Sequence, residues 1–178
     1  MNNQINEERI DKIITFLKSL NINSNRFSIM ITERNPLAIN YFNEALTHSS
    51  GNQEINYEKL EFFGDAVLRL AASNFIDKKF NHMSVGKRSE LRSRIVSDEW
   101  LTQLGKTIDI EKIIFKGSKA IGDKNSNETI IGEATEALIG AIYKCFNSIL
   151  EVNLWLDDFW EKDSELFLEA PYKYNAKS

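Results

Sequence analysis

The sequence has little of the punctuation that β-rich folds need. It contains 8 glycines and 2 prolines in 178 residues, whereas folds built from tight turns use these residues at many chain reversals. Apolar residues make up 42% of the chain and charged residues 27%, which is a globular balance rather than a disordered one. We therefore expect a single domain with a full core, in which helix is the favoured secondary structure.

Cysteine and long apolar runs are also scarce. Cys145 is the one cysteine, so the chain can form no internal disulfide and no cysteine-based zinc site. No apolar run reaches the roughly 18 residues of a membrane span, and no secretory apolar region follows the polar residues 1–9. These absences predict a cytoplasmic location with no membrane contact.

Positive charge is in deficit, with a formal net charge of −4, and this balance alone argues against a nucleic-acid partner. The charge is nevertheless segregated along the chain. Residues 78–94 carry six bases and one acid, whereas residues 151–169 carry seven acids and one base. The first stretch could face a polyanion while the second faces away, but two ordinary solvated helix faces explain the same pattern.

Apolar residues recur at helical spacing along most of the chain. The expected helices cover residues 5–20, 36–46, 57–80, 84–97, 97–104, 129–146 and 150–167. Pro36 suits the first turn of a helix, and Ser97 suits an N-cap. We expect loops at residues 21–25, 49–56 and 116–127.

Carboxylates are concentrated in two of these helices. Glu58, Glu61 and Asp65 are spaced i, i+3, i+7, which places them within an arc of about 60° on one helix face. Glu133 and Glu136 lie in an otherwise apolar helix, where burying an acid is costly without a partner or a metal. If the two helices pack side by side, four carboxylates converge on one pocket.

Such a pocket suits Mg²⁺, a hard cation that takes oxygen ligands. A metal-bound water is a better nucleophile at neutral pH, and the ion stabilises charge on a phosphodiester, so the hydrolysis of a phosphate ester is the natural chemistry. Salt bridging is the alternative, because Glu58 or Glu61 could pair with a lysine or arginine on a helix surface. The residues alone leave both explanations open.

Three motifs resemble the ribonuclease III family. Residues 58–68, EKLEFFGDAVL, resemble the family signature. Residues 45–50, ALTHSS, resemble the short motif upstream of it, and residues 132–141, GEATEALIGA, resemble the downstream catalytic helix. The motifs follow the order of the family at similar separations, and the resemblance covers about residues 6–168.

The resemblance implies an endoribonuclease that hydrolyses phosphodiester bonds of double-stranded RNA for RNA processing and leaves short 3′ overhangs. The implied cofactor is Mg²⁺, with Mn²⁺ as a substitute. The nuclease domain, at residues 1–170, would have an all-α fold and form a helical homodimer whose two metal sites cut opposite strands. Residues 171–178 would be a linker or tail; the family usually continues into an RNA-binding domain, and both a naturally short chain and an excised domain remain open.

The resemblance also implies roles for individual acids. Glu61, Asp65, Glu133 and Glu136 would be metal ligands. Catalysis would depend on Asp65 and Glu136, while Glu58 would support the site and approach the RNA.

Two further residues match the subunit interface of the family. Phe62 matches an aromatic residue that plugs into a socket on the other subunit, although the residues alone favour simple core packing. Val85 replaces the acid of a Glu-Gly stretch near the interface, which implies an altered interface. Gly64 fits a close approach of two backbones, and His48 fits a local hydrogen bond better than a general base.

Contacts with RNA would come from basic side chains, because A-form RNA is recognised by shape and by its backbone. The candidates are Lys87, Arg88, Arg92, Arg94, Lys116 and Lys119.

One departure from the family supports a different function. Glu133 stands where the family usually has Asp, and its extra methylene moves the carboxylate by about an ångström, although Mg²⁺ is strict about geometry. The alternative is therefore a catalytically weakened, ribonuclease III-like protein that binds double-stranded RNA or a ribosome. The retention of Glu58, Glu61, Asp65 and Glu136 favours the active enzyme. An unrelated helical interaction protein would have to carry three ordered motifs by accident.

Overall fold

Residues 5–117 and 124–169 are described in the computed structural model, and they form eight α-helices. The helices are α1 Glu7–Ser19, α2 Asn25–Thr32, α3 Pro36–Ala45, α4 Glu58–Lys79, α5 Val85–Ile95, α6 Asp98–Thr107, α7 Lys124–Phe146 and α8 Leu150–Glu169, with a short 3₁₀ helix at Ile110–Lys112. Within the described residues, β pairing is limited to one isolated bridge between Thr47 and Phe115. The all-α prediction is confirmed.

Helix starts follow local capping chemistry. The Ser97 side chain accepts a hydrogen bond from the Trp100 N–H at 3.2 Å, and Pro36 occupies the first turn of α3, as the sequence predicts. Helix α2 was not predicted, because its eight residues bury only Phe27, Met30 and Ile31. Such a short apolar pattern gives a weak helical signal.

The start of α7 was predicted wrongly. The helix begins at Lys124 rather than at residue 129, so the predicted loop at residues 116–127 is too long at its end. The added turn is polar, and it therefore lacks the apolar stripe from which the helix was predicted.

Helix α7 is the centre of the domain and packs against α3, α4 and α6. From Ile130 to Ile142 every residue is buried except Glu133 and Glu136, which keep partial exposure. A helix that is apolar on nearly all sides must be surrounded by other elements. The two acids therefore mark the one opening in its cover along this stretch.

Glycine lets α4 and α7 approach until their backbones touch. A Cβ atom built on Gly64 would lie 2.1 Å from the Glu136 carbonyl oxygen, and one on Gly140 would lie 2.5 Å from the Leu60 carbonyl oxygen. Real Cβ atoms do not reach such distances, so no larger residue fits at either position without a shift of the backbone. The close approach predicted at Gly64 is confirmed.

The nuclease-domain prediction ends close to the end of α8 at Glu169. The predicted linker at residues 171–178 lies outside the described residues. In the part of the chain that is described, no helix has both the length and the apolar character needed to cross a membrane.

Candidate active site

The crossing of α4 and α7 brings the predicted acids to one cleft. Gly64 lies against the backbone of Glu136, so that residue of α7 faces the turn of α4 between Glu61 and Asp65. A cavity of about 730 Å³ opens there, and Glu61, Glu133 and Glu136 line it. The two helices therefore touch as the sequence predicted, and three of the predicted acids line one cavity.

The cleft raises the pKa of two of its acids. Burial is the main cause for Glu136, followed by the negative charges of Asp65, Glu61 and Asp98, and together they raise its pKa to about 7 although Arg69 opposes them. The pKa of Glu61 is also raised, first by burial and then by the charges of its acidic neighbours. An uncompensated excess of negative charge therefore exists here, and a cation would relieve it.

Glu133 is held by a tyrosine that precedes α4. The Tyr57 hydroxyl donates to Glu133 Oε2 at 2.6 Å. The Tyr57 backbone N–H donates to the Thr47 carbonyl oxygen at 2.9 Å, and the Tyr57 ring lies edge-on against His48 with centroids 5.5 Å apart. The motif at residues 45–50 thus positions Tyr57, and through it Glu133.

His48 itself makes a local interaction, as predicted. Its Nδ1 lies 2.6 Å from Ser50 Oγ and accepts from the Ser50 backbone N–H at 3.1 Å. The Nδ1 atom of the ring is therefore engaged in hydrogen bonds within the turn of residues 48–50.

Asp65 is held by an arginine one turn further along α4. Arg69 Nε donates to Asp65 Oδ1 at 2.8 Å and to Oδ2 at 3.0 Å. The i, i+4 spacing of the two residues is the sequence signal that could have revealed this pair. Glu58, at the first residue of α4, is exposed beside the cleft, and its charge reaches Glu61.

The donor set fits a hard divalent cation by its chemistry, because four carboxylates on two adjoining helices offer oxygen ligands. Their side chains are not turned towards a common point. Among the described residues, no group of three or more Asp, Glu, His or Cys side chains is placed to hold a metal ion together. The reason is that Asp65 faces Arg69 and Glu133 faces Tyr57.

The sequence analysis missed the third helix that borders the cleft. Asp98 and Lys106 of α6 line the cavity, and the charge of Asp98 raises the pKa of Glu136. Asp98 was recognisable only as an acid in the first turn of a helix, a position where acids are common for local reasons.

The two predicted interface residues are exposed in the single chain. Phe62 is 84% exposed and Val85 is 82% exposed. The core-packing alternative for Phe62 is therefore wrong, because the buried stripe of α4 runs through Leu60, Gly64 and Leu68 on another side of the helix.

The predicted RNA contacts differ in their availability. Lys87 and Arg92 are exposed on α5. The Arg88 guanidinium donates to Asp77 at 3.1 Å and to backbone carbonyls nearby. The remaining two described candidates are mostly buried and already have partners, whereas Lys119 lies outside the described residues. They are Arg94, 18% exposed and paired with Glu90, and Lys116, 16% exposed and hydrogen-bonded to Asn127.

Comparisons with known proteins agree with the resemblance that the motifs carry. The family model described as Ribonuclease-III-like matches residues 39–147, more than half of the chain. Ribonuclease 3 of Prochlorococcus marinus is 43% identical over 174 residues, which cover 98% of this chain and 70% of that relative. The relative named Ribonuclease 3 2 from Synechocystis sp. is 32% identical over 83% of this chain, which spans 60% of its length.

Solved structures show the same fold. The nuclease domain of ribonuclease III from Campylobacter jejuni, described by the flexibility of a region involved in dimer formation, superimposes with a TM-score of 0.59. It is 25% identical, and the match covers 92% of this chain and 96% of that one. Dicer from Pichia stipitis gives a TM-score of 0.59 at 24% identity, over 80% of this chain and 63% of its own.

The family model, the relatives and the solved structures that match this all-α domain are those of endoribonucleases. The chain belongs to the ribonuclease III family of endoribonucleases.

Proposed function

We propose that the protein is a Mg²⁺-dependent nuclease that hydrolyses double-stranded RNA in RNA processing and leaves short 3′ overhangs. The observation that carries the proposal is the glycine-mediated contact of α4 with α7, which puts Glu61 and Glu136 on one cleft, with Asp65 near enough for its charge to act on Glu136. Acids so placed repel one another, and their assembly is explained if a divalent ion binds there.

Glu61, Asp65, Glu133 and Glu136 would hold the ion. Bound there, Mg²⁺ or Mn²⁺ supplies an activated water and stabilises charge on the phosphodiester. Glu133 retains its hydrogen bond from Tyr57 and offers its second oxygen, which accommodates the longer side chain. Glu58 flanks the cleft, where it supports the carboxylate group and lies beside the approaching RNA.

Glu136 carries a proton for much of the time near neutral pH, because its pKa is about 7 in the absence of a cation. Metal binding to a protonated ligand releases the proton. The apparent affinity for Mg²⁺ should therefore rise as the pH increases through about 7.

The exposed basic side chains of α5 would meet the RNA backbone at a distance from the cleft. Arg92 Nη1 donates to Ser73 Oγ at 3.1 Å, and Ser73 lies two turns beyond Asp65 on α4, about 12 Å along the helix axis. One duplex can therefore lie over the cleft and over Arg92 and Lys87 together. We also propose a homodimer formed through Phe62 and Val85, because solvent-exposed aromatic and aliphatic side chains of this kind mark contact surfaces.

Cleavage of labelled duplex RNA in Mg²⁺ tests the function. The parent should cut the duplex, and Glu136→Gln should bind it but cut at least about a hundredfold more slowly. Glu8→Gln is the matched control, since Glu8 is an exposed acid paired with Lys12 on α1, and it should cut like the parent.

Equal cutting by the parent and Glu136→Gln would remove Glu136 from the mechanism. If the parent binds the duplex but cuts it in neither Mg²⁺ nor Mn²⁺, the weakened RNA-binding relative is the better description. Glu133, with its longer side chain tied to Tyr57, would then be the first residue to change to Asp.

A further inference from the structure

Arg69 lies between the carboxylate cleft and the basic face of α5. Its Nε atom contacts both oxygens of Asp65, and its side chain is 57% exposed. The charges of Glu136 and Asp98 also act on it. Within the described part of the chain, its Nη atoms make no hydrogen bond, so two of the three guanidinium nitrogens face solvent beside the cleft.

Asp65 cannot serve Arg69 and a divalent ion fully at the same time. Each oxygen of Asp65 already accepts from Nε, whereas a cation would take at least one of them. Arginine stays charged at every working pH, so the conflict cannot be relieved by loss of a proton. An ion on Asp65 repels the guanidinium and competes for the same oxygens, so it weakens the hold of Asp65 on Arg69.

Ser73, one turn beyond Arg69 on α4, connects Arg69 to a second arginine, Arg92 of α5. Ser73 Oγ donates to the Arg69 carbonyl oxygen at 2.7 Å and accepts from Arg92 Nη1 at 3.1 Å. Arg69 and Ser73 follow Asp65 on α4 in steps of about 6 Å along the axis, and Arg92 of α5 adjoins the end of this row. A planar guanidinium with free N–H groups recognises phosphate with two parallel hydrogen bonds.

We propose that Arg69 exchanges partners during binding. It holds Asp65 while the cleft contains no divalent ion, and it contacts a phosphate of the RNA backbone once an ion is bound. This role rests on the nuclease function proposed above. It adds Arg69, which lies in none of the three motifs. Arg69 would link ion binding to RNA binding. An ion on Asp65 frees the guanidinium for a phosphate, and a phosphate on the guanidinium frees Asp65 for an ion.

Arg69 has an ordinary explanation as well, since i, i+4 ion pairs on exposed helix faces are common and contribute little to stability. A fixed ion pair predicts that Arg69 affects RNA binding to the same extent with and without a divalent ion. The two affinities therefore separate the explanations without a measurement of activity.

The first measurement is calorimetric titration of the RNA-free protein with Mn²⁺. Arg69→Gln should bind Mn²⁺ about fivefold more tightly, because it removes a competitor and a like charge about 4 Å from the ion. Arg34→Gln is the matched control, since Arg34 is an exposed arginine paired with Glu7 and Asp11 on α1. It should leave the Mn²⁺ affinity unchanged.

The second measurement is binding of a duplex RNA in Ca²⁺, with gels to show that the RNA stays intact. Arg69→Gln should bind the duplex more weakly, and the slope of log affinity against log salt should fall by about one, as expected for one lost phosphate contact. Arg69→Lys should keep most of the RNA affinity, because a lysine still reaches phosphate as a point charge. In EDTA the Arg69→Gln variant and the parent should bind the duplex equally.

Tighter Mn²⁺ binding, weaker RNA binding in Ca²⁺ and unchanged RNA binding in EDTA together support the exchange, since the loss of a fixed positive charge would weaken RNA binding in EDTA as well. An equal loss of RNA affinity in Ca²⁺ and in EDTA would contradict it. An unchanged Mn²⁺ affinity in Arg69→Gln would overturn it, and so would tighter Mn²⁺ binding with unchanged RNA affinity in Ca²⁺. A parent that cuts no RNA would defeat the proposed function instead, while the Mn²⁺ titration would still decide whether Arg69 competes for Asp65.

Discussion

The two sides of α4 differ in what they contact. One side carries Leu60 and Gly64 and is sealed against α7 within the chain. The other side carries Phe62, Ala66 and Leu70, and all three are exposed. Glu61 and Asp65 lie on the border, with partial exposure. The carboxylate cleft is therefore assembled by one chain alone, whereas the apolar side remains exposed to solvent in the single chain.

The sealed side should be the more sensitive to substitution. Gly64→Ala would place a Cβ atom 2.1 Å from the Glu136 carbonyl oxygen, and the forced separation of the helices should lower the free energy of unfolding by about 3 kcal/mol or more. Urea denaturation would measure the change. Gly86→Ala is the matched control, because nothing lies within 4 Å of a Cβ at this helical glycine; it should be neutral or stabilising by about 0.5 kcal/mol. Similar curves for both variants would contradict the close crossing.

The exposed side should affect association rather than folding. Phe62→Ala should weaken the proposed homodimer by about 2 kcal/mol, roughly a thirtyfold rise in Kd, because a central aromatic anchor carries that much at an interface. Sedimentation across a concentration series would measure it. Leu37→Ala, at another exposed apolar residue, should leave the Kd unchanged. A parent that stays monomeric at every concentration would rule out the interface.

The acids at the border between the two sides should give the smallest effect. Their charges act on Glu136 of α7, which should make the free energy of unfolding depend on pH. The pKa of Glu136 is near the ordinary value of 4.5 in the unfolded chain and about 7 in the folded one. Its protonated form thus favours the fold, and this contribution, complete below pH 4.5, is lost as the pH rises through about 7. After allowance for partial solvent exposure, the loss is about 1–2 kcal/mol.

Urea denaturation in EDTA at a series of pH values would measure this loss. Glu136→Gln should remove most of the pH dependence. If the parent and the variant follow the same pH curve, Glu136 does not experience the repulsion that the cleft implies.

Much of this arrangement could be predicted from the residues. The helical spacing of Glu58, Glu61 and Asp65 indicated one acidic face, and the acids within the apolar stretch of α7 indicated a second. Their convergence required only that the two helices touch, and Gly64 predicted such a contact. Local periodicity and the requirement to compensate buried charge were sufficient for these conclusions.

The partners of the acids could not be predicted in this way. Tyr57 is bonded to Glu133, 76 positions away in the chain, and Asp98 reaches Glu136 only because α6 packs on α7. Such pairs depend on tertiary packing, which no local pattern encodes. The residues alone favoured core packing for Phe62, since an aromatic residue in a helix is usually buried; the resemblance pointed to an interface instead, and Phe62 is exposed on α4.

Arg9 connects the first helix to the two backbone segments that support Tyr57. Its guanidinium donates to the Leu46 carbonyl oxygen at 2.9 Å and to the Ile113 carbonyl oxygen at 2.6 Å, and so fastens the two backbone segments that pair beside Thr47. The region matched by the family begins only at residue 39, and α1 lies before it. A fragment trimmed to that match would take the Arg9 donor from the Ile113 carbonyl oxygen and would leave the Leu46 carbonyl oxygen with the Phe115 N–H alone. The pairing that supports Tyr57 would then be weaker, so a fragment that keeps α1 should be the more stable one.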